Sequence, residues 1–493
     1  MESLDKTEER VVKSVPLAIW NQGARRQFMS ICLCFPLQDD AKEEEIVASL
    51  RAALDRLAAQ RPDFAGTLRV ELRLGVISLE TTNGGTIPLA KLDASAKINI
   101  SYYDLKGKEF PPSYFLHSTF KPAFDCDIQG RRSHGRASLV NYSFIQGGLL
   151  LWVHLNHAFA DGLSLQAFVE CLAAQTRGEV VDHPASQKLG PELAMCEEDG
   201  RTEPFKRLME SCQDLTVMFD DSGPGTTVSL GRALSLDNSS KSENIFVFKR
   251  EKLQELRGLL ANANDNGKAP TIYQCLAALT WANVCKARAG EATGWQDGLR
   301  KDEIAKNMAD PCSQPEAGSE MMISVNWRRR VFQDDTKDYF GNTTTYPMIK
   351  TRVTQVLGAA ESIESLAALV GLIDDGIKSV DKGFVARHTK AMAACPDIRH
   401  LRAAIDLMNP FCLGFNTWRY FGADEEWELP GLASRKADAV RRVSSGIGVG
   451  TALILPAKKE SEEYELVVSL MTESMNELCR SEQWMCWVDH VIE

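Results

Sequence analysis

The chain carries His157, Asp161 and Gly162 in the spacing His-Ala-Phe-Ala-Asp-Gly, where an apolar run ends and an amphipathic one begins. An imidazole has an ordinary pKa of about 6.5, so it can take up and return a proton near neutrality. To act as a general base it must also reach a substrate, with its ring oriented and its tautomer fixed. Asp161 can help in two ways: by touching the imidazole, or by holding the turn through an arginine from elsewhere. The residues leave both open. His154, earlier in the apolar run, reads as a structural histidine. A lone His-x-x-x-Asp arises by chance in many chains, so its surroundings have to decide.

Those surroundings are strands and helices. Residues 138–157 read as two long strands joined near Gly147 and Gly148, and residues 162–178 as a helix of about four turns stopped by Gly178. His157 therefore ends a buried strand and Asp161 opens a helix. Upstream, residues 26–37 read as a strand, 41–61 as a helix, and 66–90 as strands with Asn83-Gly84-Gly85 as a hairpin turn. Residues 183–243 are rich in Ser, Gly, Pro and Asp and predict a surface crossover. A second set follows: a strand and helix over 244–263, a helix over 271–290, the strand "MMISVNWRRR", helices over about 352–404, two more strands and a last helix. The repeated pattern predicts an α+β fold of two similar lobes. We assign 1–190 to an N-terminal lobe carrying the motif, 191–243 to the crossover and 244–493 to a C-terminal lobe.

Length agrees, since 493 residues are too many for one compact core. The formal net charge of −11 argues against a nucleic-acid partner, although a local basic pocket can still hold an anionic ligand. Thirteen cysteines without a C-x-x-C pair read as reduced and buried, without a metal site. No signal-peptide h-region and no apolar run of membrane-spanning length is visible, so a cytoplasmic protein with no membrane partner is expected. There is no G-x-S-x-G elbow and no H-E-x-x-H helix, and "GIGVG" leads into an apolar strand rather than a helix.

The stretch "FIQGGLLLWVHLNHAFADGLSL" resembles the centre of the BAHD-type acyl-CoA-dependent acyltransferases, in particular the fungal branch that includes trichothecene 3-O-acetyltransferases. Further segments are similar in the same order: "VPLAIWNQ", "TIYQCLAALTWANVCKAR" with Gln274 in an Asp position, "SVNWRRRVF" with "DYFGNTTT", and "FNTWRYF". The family's Asp-Phe-Gly-Trp-Gly signature is missing; "WELPGLASRKADAVRR" stands in its place.

The resemblance implies a chloramphenicol-acetyltransferase-like fold, with an active-site tunnel between two lobes and His157 midway. It implies a monomeric O-acyltransferase that moves acetyl from acetyl-CoA, as co-substrate rather than resident cofactor, to a small-molecule alcohol of fungal specialised metabolism. Asp161 then acts as an ion-pair partner of Arg328, with Arg330 next in line. Thr417 and Trp418 face the intermediate or the acceptor. Lys268, Arg435, Lys436 and Arg441 are candidates for the CoA phosphates, with Lys286, Arg288 and Arg442 beside them. An N-acyltransferase, a carrier-protein condensation domain and a non-catalytic binder are the alternatives. Condensation sites usually show His-His before the x-x-x-Asp-Gly, and this chain has Asn156 there.

Overall fold

The computed structural model describes residues 12–71, 75–94, 97–120, 122, 134–180, 205–217, 241–263, 269–291, 318–332, 339–443 and 448–493. The first lobe is built on a five-stranded sheet in the order 439–442, 28–36, 148–156, 138–145, 89–91. Phe28–Pro36 and Gly148–Asn156 are its centre, and all nine residues of each are buried. Strands covered on both faces read as continuous apolar runs, which is why these two were visible in the sequence. The helices Glu43–Gln60 and Gly162–Thr176 pack together on one face, with Phe64, Phe159, Phe168 and Phe340 beneath the motif. A four-stranded antiparallel sheet, 12–16, 77–82, 67–70 and 134–136, flanks this core.

The second lobe has a seven-stranded mixed sheet in the order 348–352, 318–323, 412–417, 451–454, 463–471, 241–249, 490–492. Its core forms around the helix Ile272–Arg288, which is buried along most of its length and starts with a capping box between Thr271 and Gln274. The mixed two-lobe α+β architecture is the one expected.

Several local readings are corrected. Asn83-Gly84-Gly85 does not close a hairpin: Ile77–Thr82 pairs with Thr67–Val70 and Val12–Pro16, whereas Leu89–Lys91 lies in the other sheet, parallel to 138–145. The turn carries the chain from one sheet to the next. The arginine run after Asn326 is not strand but a helical turn, Arg328–Val331. Ala439–Arg442, late in the chain, is the edge strand of the first sheet, paired antiparallel with Ile31–Cys34. Within the expected crossover, Leu215–Val217 pairs with Leu401–Ala403. Among the described residues no helix is long and apolar enough to cross a membrane, and no cluster of His, Cys, Asp and Glu could hold a metal ion.

Candidate active site

Gly148 begins the strand that delivers His157. A Cβ there would lie 2.1 Å from the Tyr102 ring, so only glycine lets Tyr102 lie flat on the strand. Gly147 before it has φ 77°, the left-handed conformation that the tight turn from Ile145 requires. The strand ends at Asn156, and the turn His157–Phe159 is fixed by three asparagines. The Asn156 side chain accepts from the Ala158 amide at 3.0 Å. Asn21 donates to the carbonyls of Ala158 and Phe159 at 3.0 and 2.6 Å, and Asn342 donates to the carbonyl of His157 at 2.8 Å. The His157 amide donates to the Gln27 carbonyl at 2.7 Å. Two segments distant in sequence, around 21–27 and at Asn342, thus clamp one turn. Asn21 and Asn342 were not singled out as site residues, although each lies in a segment, "VPLAIWNQ" or "YFGN", that carried the resemblance.

His157 itself is half-buried. Desolvation in its dense surroundings lowers its pKa below 6.5, outweighing the raising effects of a backbone hydrogen bond and of the Asp161 charge, with a smaller lowering contribution from Arg25. The imidazole is therefore neutral at physiological pH, the form that can accept a proton. Its Nδ1 has no hydrogen-bond partner among the described residues. His154 is different: it is fully buried on the strand, 2.7 Å from the Ser30 hydroxyl, with its pKa pushed down to about 3 by desolvation.

Asp161 makes no hydrogen bond to the imidazole among the described residues. It caps the helix Gly162–Thr176 by accepting from the Ser164 amide. It also meets Arg328 in a two-pronged pair, 2.8 Å from both Nη1 and Nη2, and accepts from the Thr343 amide and the hydroxyls of Thr343 and Thr344. Burial opposes its ionisation, but the Arg328 charge and these hydrogen bonds outweigh it and hold its pKa below the usual range. Arg328 spends its remaining donors on Ser164 and on the carbonyls of Tyr339 and Gly341. No lone pair of Asp161 is left for a proton relay. Gly162 allows the helix to start here: a Cβ on it would come 2.5 Å from the Phe421 ring. Arg330 is not in this pair; it donates to the carbonyls of Ile377 and Val380 at the end of the helix Ile363–Ser379.

Thr417 ends the strand Cys412–Thr417 and Trp418 follows it, and both are half-buried. The Trp418 ring stacks on Phe421, with the Arg442 guanidinium 5.7 Å above its face. This ties it to the motif helix, since Phe421 is the ring that meets Gly162.

The expected phosphate ligands are less concentrated. Arg441 is buried in a pair with Glu465 at 2.7 and 3.0 Å and donates to the carbonyls of Glu109 and Phe110. Exposed Arg435 pairs with Glu428 at 2.9 Å, and Lys436 lies 3.8 Å from Asp424. Lys286 meets Glu361, and Arg288 is fully buried against Glu291 and the carbonyls of Leu407, Met408 and Cys412. Lys268 lies outside the described residues. Arg441 has acceptors for all five of its N–H groups and so has none to offer a phosphate, and Arg288 is held fully buried, away from any ligand in solvent. The segment in place of the missing signature is well anchored: Trp427 packs edge-on against Phe35, and its amide donates to the Arg435 carbonyl.

A family profile described as the Transferase family matches residues 5–483. An acyltransferase of Cordyceps militaris is 22% identical over 404 residues, 75% of each chain. Trichothecene 8-O-acetyltransferase of Fusarium sporotrichioides is 24% identical over 38% of this chain and 39% of its own. An isocyanide synthase-NRPS hybrid of Aspergillus fumigatus is 23% identical over 69% of this chain, which spans only 22% of that protein. Among solved structures, F. graminearum TRI101 complexed with coenzyme A and T-2 mycotoxin superposes with a TM-score of 0.70 at 17% identity, over 98% of this chain and 100% of that one. Vinorine synthase superposes with a TM-score of 0.60 at 16% identity, over 99% of this chain and 96% of its own.

Proposed function

The chain belongs to the Transferase family, the acyl-CoA-dependent acyltransferases that its His-x-x-x-Asp-Gly segment resembles, and from that premise we propose that it is an O-acyltransferase with His157 as its general base. The observation that carries the proposal is a half-buried imidazole, its pKa lowered by desolvation, on a turn clamped from both lobes, with its aspartate committed elsewhere.

His157 takes the proton from an acceptor hydroxyl, and the alkoxide oxygen attacks the thioester carbonyl carbon. The tetrahedral intermediate collapses with cleavage of the carbon–sulfur bond, and the departing CoA thiolate receives the proton from the imidazolium. No acyl-enzyme is formed. Base catalysis of this kind contributes on the order of 10²–10⁴-fold, with positioning and oxyanion stabilisation adding more. Thr417 and Trp418, close to the motif helix through Phe421, supply a hydroxyl and an indole N–H for the oxyanion or the acceptor. Asp161 is a positioning residue: it locks the helix start to Arg328 and thereby fixes the turn that carries the base.

Acetyl-CoA is the donor and a hydroxyl of a specialised metabolite the acceptor, in keeping with the fungal acyl- and acetyltransferases among the relatives. The test is release of free CoA thiol from acetyl-CoA against a panel of terpenoid and alkaloid alcohols, with products identified by mass spectrometry. O-acetylated products that depend on His157 are expected. Turnover unaffected by loss of His157, or acylation of amines only, would overturn the assignment.

A further inference from the structure

The bend at Glu109 and Phe110 is fastened to the second sheet at two points. Both residues have left-handed φ, 60° and 52°, which residues other than glycine keep only where their surroundings impose it. The first fastening is Arg441, which donates to both carbonyls and pairs with Glu465. The second is His490: its Nε2 lies 2.8 Å from Glu109 Oε2, and its Nδ1 lies 2.8 Å from Asp489 Oδ2. Glu465 and His490 each pair with Val247 in the antiparallel sheet, so the three side chains stand in one row facing the first lobe.

The two fastenings differ in kind. Arg441 keeps its charge at any physiological pH, whereas an imidazole does not. Near neutrality a carboxylate offers only acceptors, so a ring with a carboxylate at each nitrogen must carry both protons. The arrangement at His490 is therefore that of an imidazolium. Its side chain is 35% exposed, so it exchanges protons with solvent. The other charges around it belong to the same sheet: Asp489 lies 3.7 Å from Lys249, which also meets Glu463. Burial opposes the charged ring, but Asp489 and Glu109 outweigh it and raise its pKa above 6.5. As pH rises through that raised value one N–H is lost, and with it the charge that draws Glu109 across. Asp489 keeps its place, because its amide donates to the Val247 carbonyl at 2.8 Å.

The bend positions a wall. Just beyond it, Pro112–Tyr114 packs on the strand Lys241–Lys249. Pro112 and Leu116 face Ile245, Leu455 and Val467 across a narrow cavity between the lobes. Arg442 also lines this cavity, with its guanidinium over the Trp418 ring. We propose that His490 is a pH-operated latch between the lobes. Protonated, it ties Glu109 to the second sheet and holds the Pro111–Leu116 wall of the cavity in place; deprotonated, it frees that wall. Arg441 still holds the bend in the second state, so the wall loosens without detaching. The latch stands apart from the assignment of His157 as base, since it concerns the wall and not the proton transfer.

Two measurements on the full chain test it. The first is an NMR titration of the histidine rings, with the His490 signal assigned by its loss in H490Q. Its pKa is expected above 6.5 in the wild type and about 0.5 lower in E109Q. The second is hydrogen exchange over residues 107–116, where the amides of Glu109 and Phe110 donate to the carbonyls of Lys106 and Leu105. Wild type, H490Q and H490K are compared at equal pH, once well below and once well above the measured His490 pKa. Melting curves check that each variant is folded. Below that pKa, H490Q should exchange about two- to fivefold faster than the wild type. Above it the two should coincide, while H490K, whose charge persists, stays the more protected. A His490 pKa that does not move in E109Q overturns the proposal, as does exchange in H490Q that matches the wild type below the pKa.

Discussion

In the proposed mechanism His157, Asp161 and Arg328 divide the work at the level of single residues: His157 moves a proton, and the other two hold its turn in place. Asp161→Asn keeps the shape but leaves Arg328 buried without its counter-charge, and breaking a buried pair from one side costs roughly 3–5 kcal/mol. A lower melting temperature should accompany lost activity in Asp161→Asn and in Arg328→Met, and combining the two should restore part of the stability. Unchanged melting in all three would contradict the anchor role. The proton itself can be followed by pH. If His157 is the proposed neutral base, burial, with a smaller contribution from Arg25, lowers its pKa, so the acidic limb of kcat/KM should lie below 6.5. Removing the nearby positive charge favours the imidazolium, so Arg25→Gln should move that limb to higher pH. A limb that does not move would place Arg25 too far from the base to matter.

Among the elements, the strand Ala439–Arg442 connects the two halves, lying in the first sheet while its Arg441 reaches Glu465 of the second. Arg441 also holds the carbonyls of Glu109 and Phe110, two non-glycine residues with φ of 60° and 52°, a conformation that persists only where the surroundings enforce it. Arg441→Met should therefore cost about 3–5 kcal/mol of stability while the folded fraction binds CoA as before. A stable variant with weakened CoA binding would return Arg441 to the phosphate site. Local signals made the motif legible in the sequence: an apolar run, a glycine pair for the turn, and an aspartate at a helix start. Long-range pairing was not legible. Nothing near residue 439 says that it joins a strand at 31–34, and nothing near Asn83 says that the chain changes sheets there. The partners of Arg435, Arg441 and Arg288 were hidden for the same reason, since a basic residue reads alike in sequence whether it meets a phosphate or a glutamate. The run "VNWRRR" contained the right partner for Asp161, but only the helical turn at Arg328–Val331 separates Arg328 from Arg330.

Across the whole molecule, the two cores are joined by the clamp on His157, the Asp161–Arg328 pair and the Arg441–Glu465 pair, so stability and activity are coupled. A separate buried pair pins part of the crossover to the second lobe: His388, on the helix Lys382–Ala394, is 2.8 Å from both oxygens of Asp214. Burial disfavours the charged ring, but Asp214 and Cys212 more than compensate and raise its pKa to about 9. The stabilisation is thus fully present below the ordinary value of 6.5 and is lost as pH rises through 9. Melting temperature should fall across that window in the wild type and fall less in His388→Gln; parallel curves would show that the pair does not matter. The central claim is that an acyl-CoA-dependent transfer runs through His157 as base. It is tested most directly by measuring kcat and CoA affinity on the same sample of His157→Ala. The account predicts kcat lower by about 10²-fold or more with CoA affinity nearly unchanged, whereas a folded variant with kcat within a few-fold of wild type would contradict it.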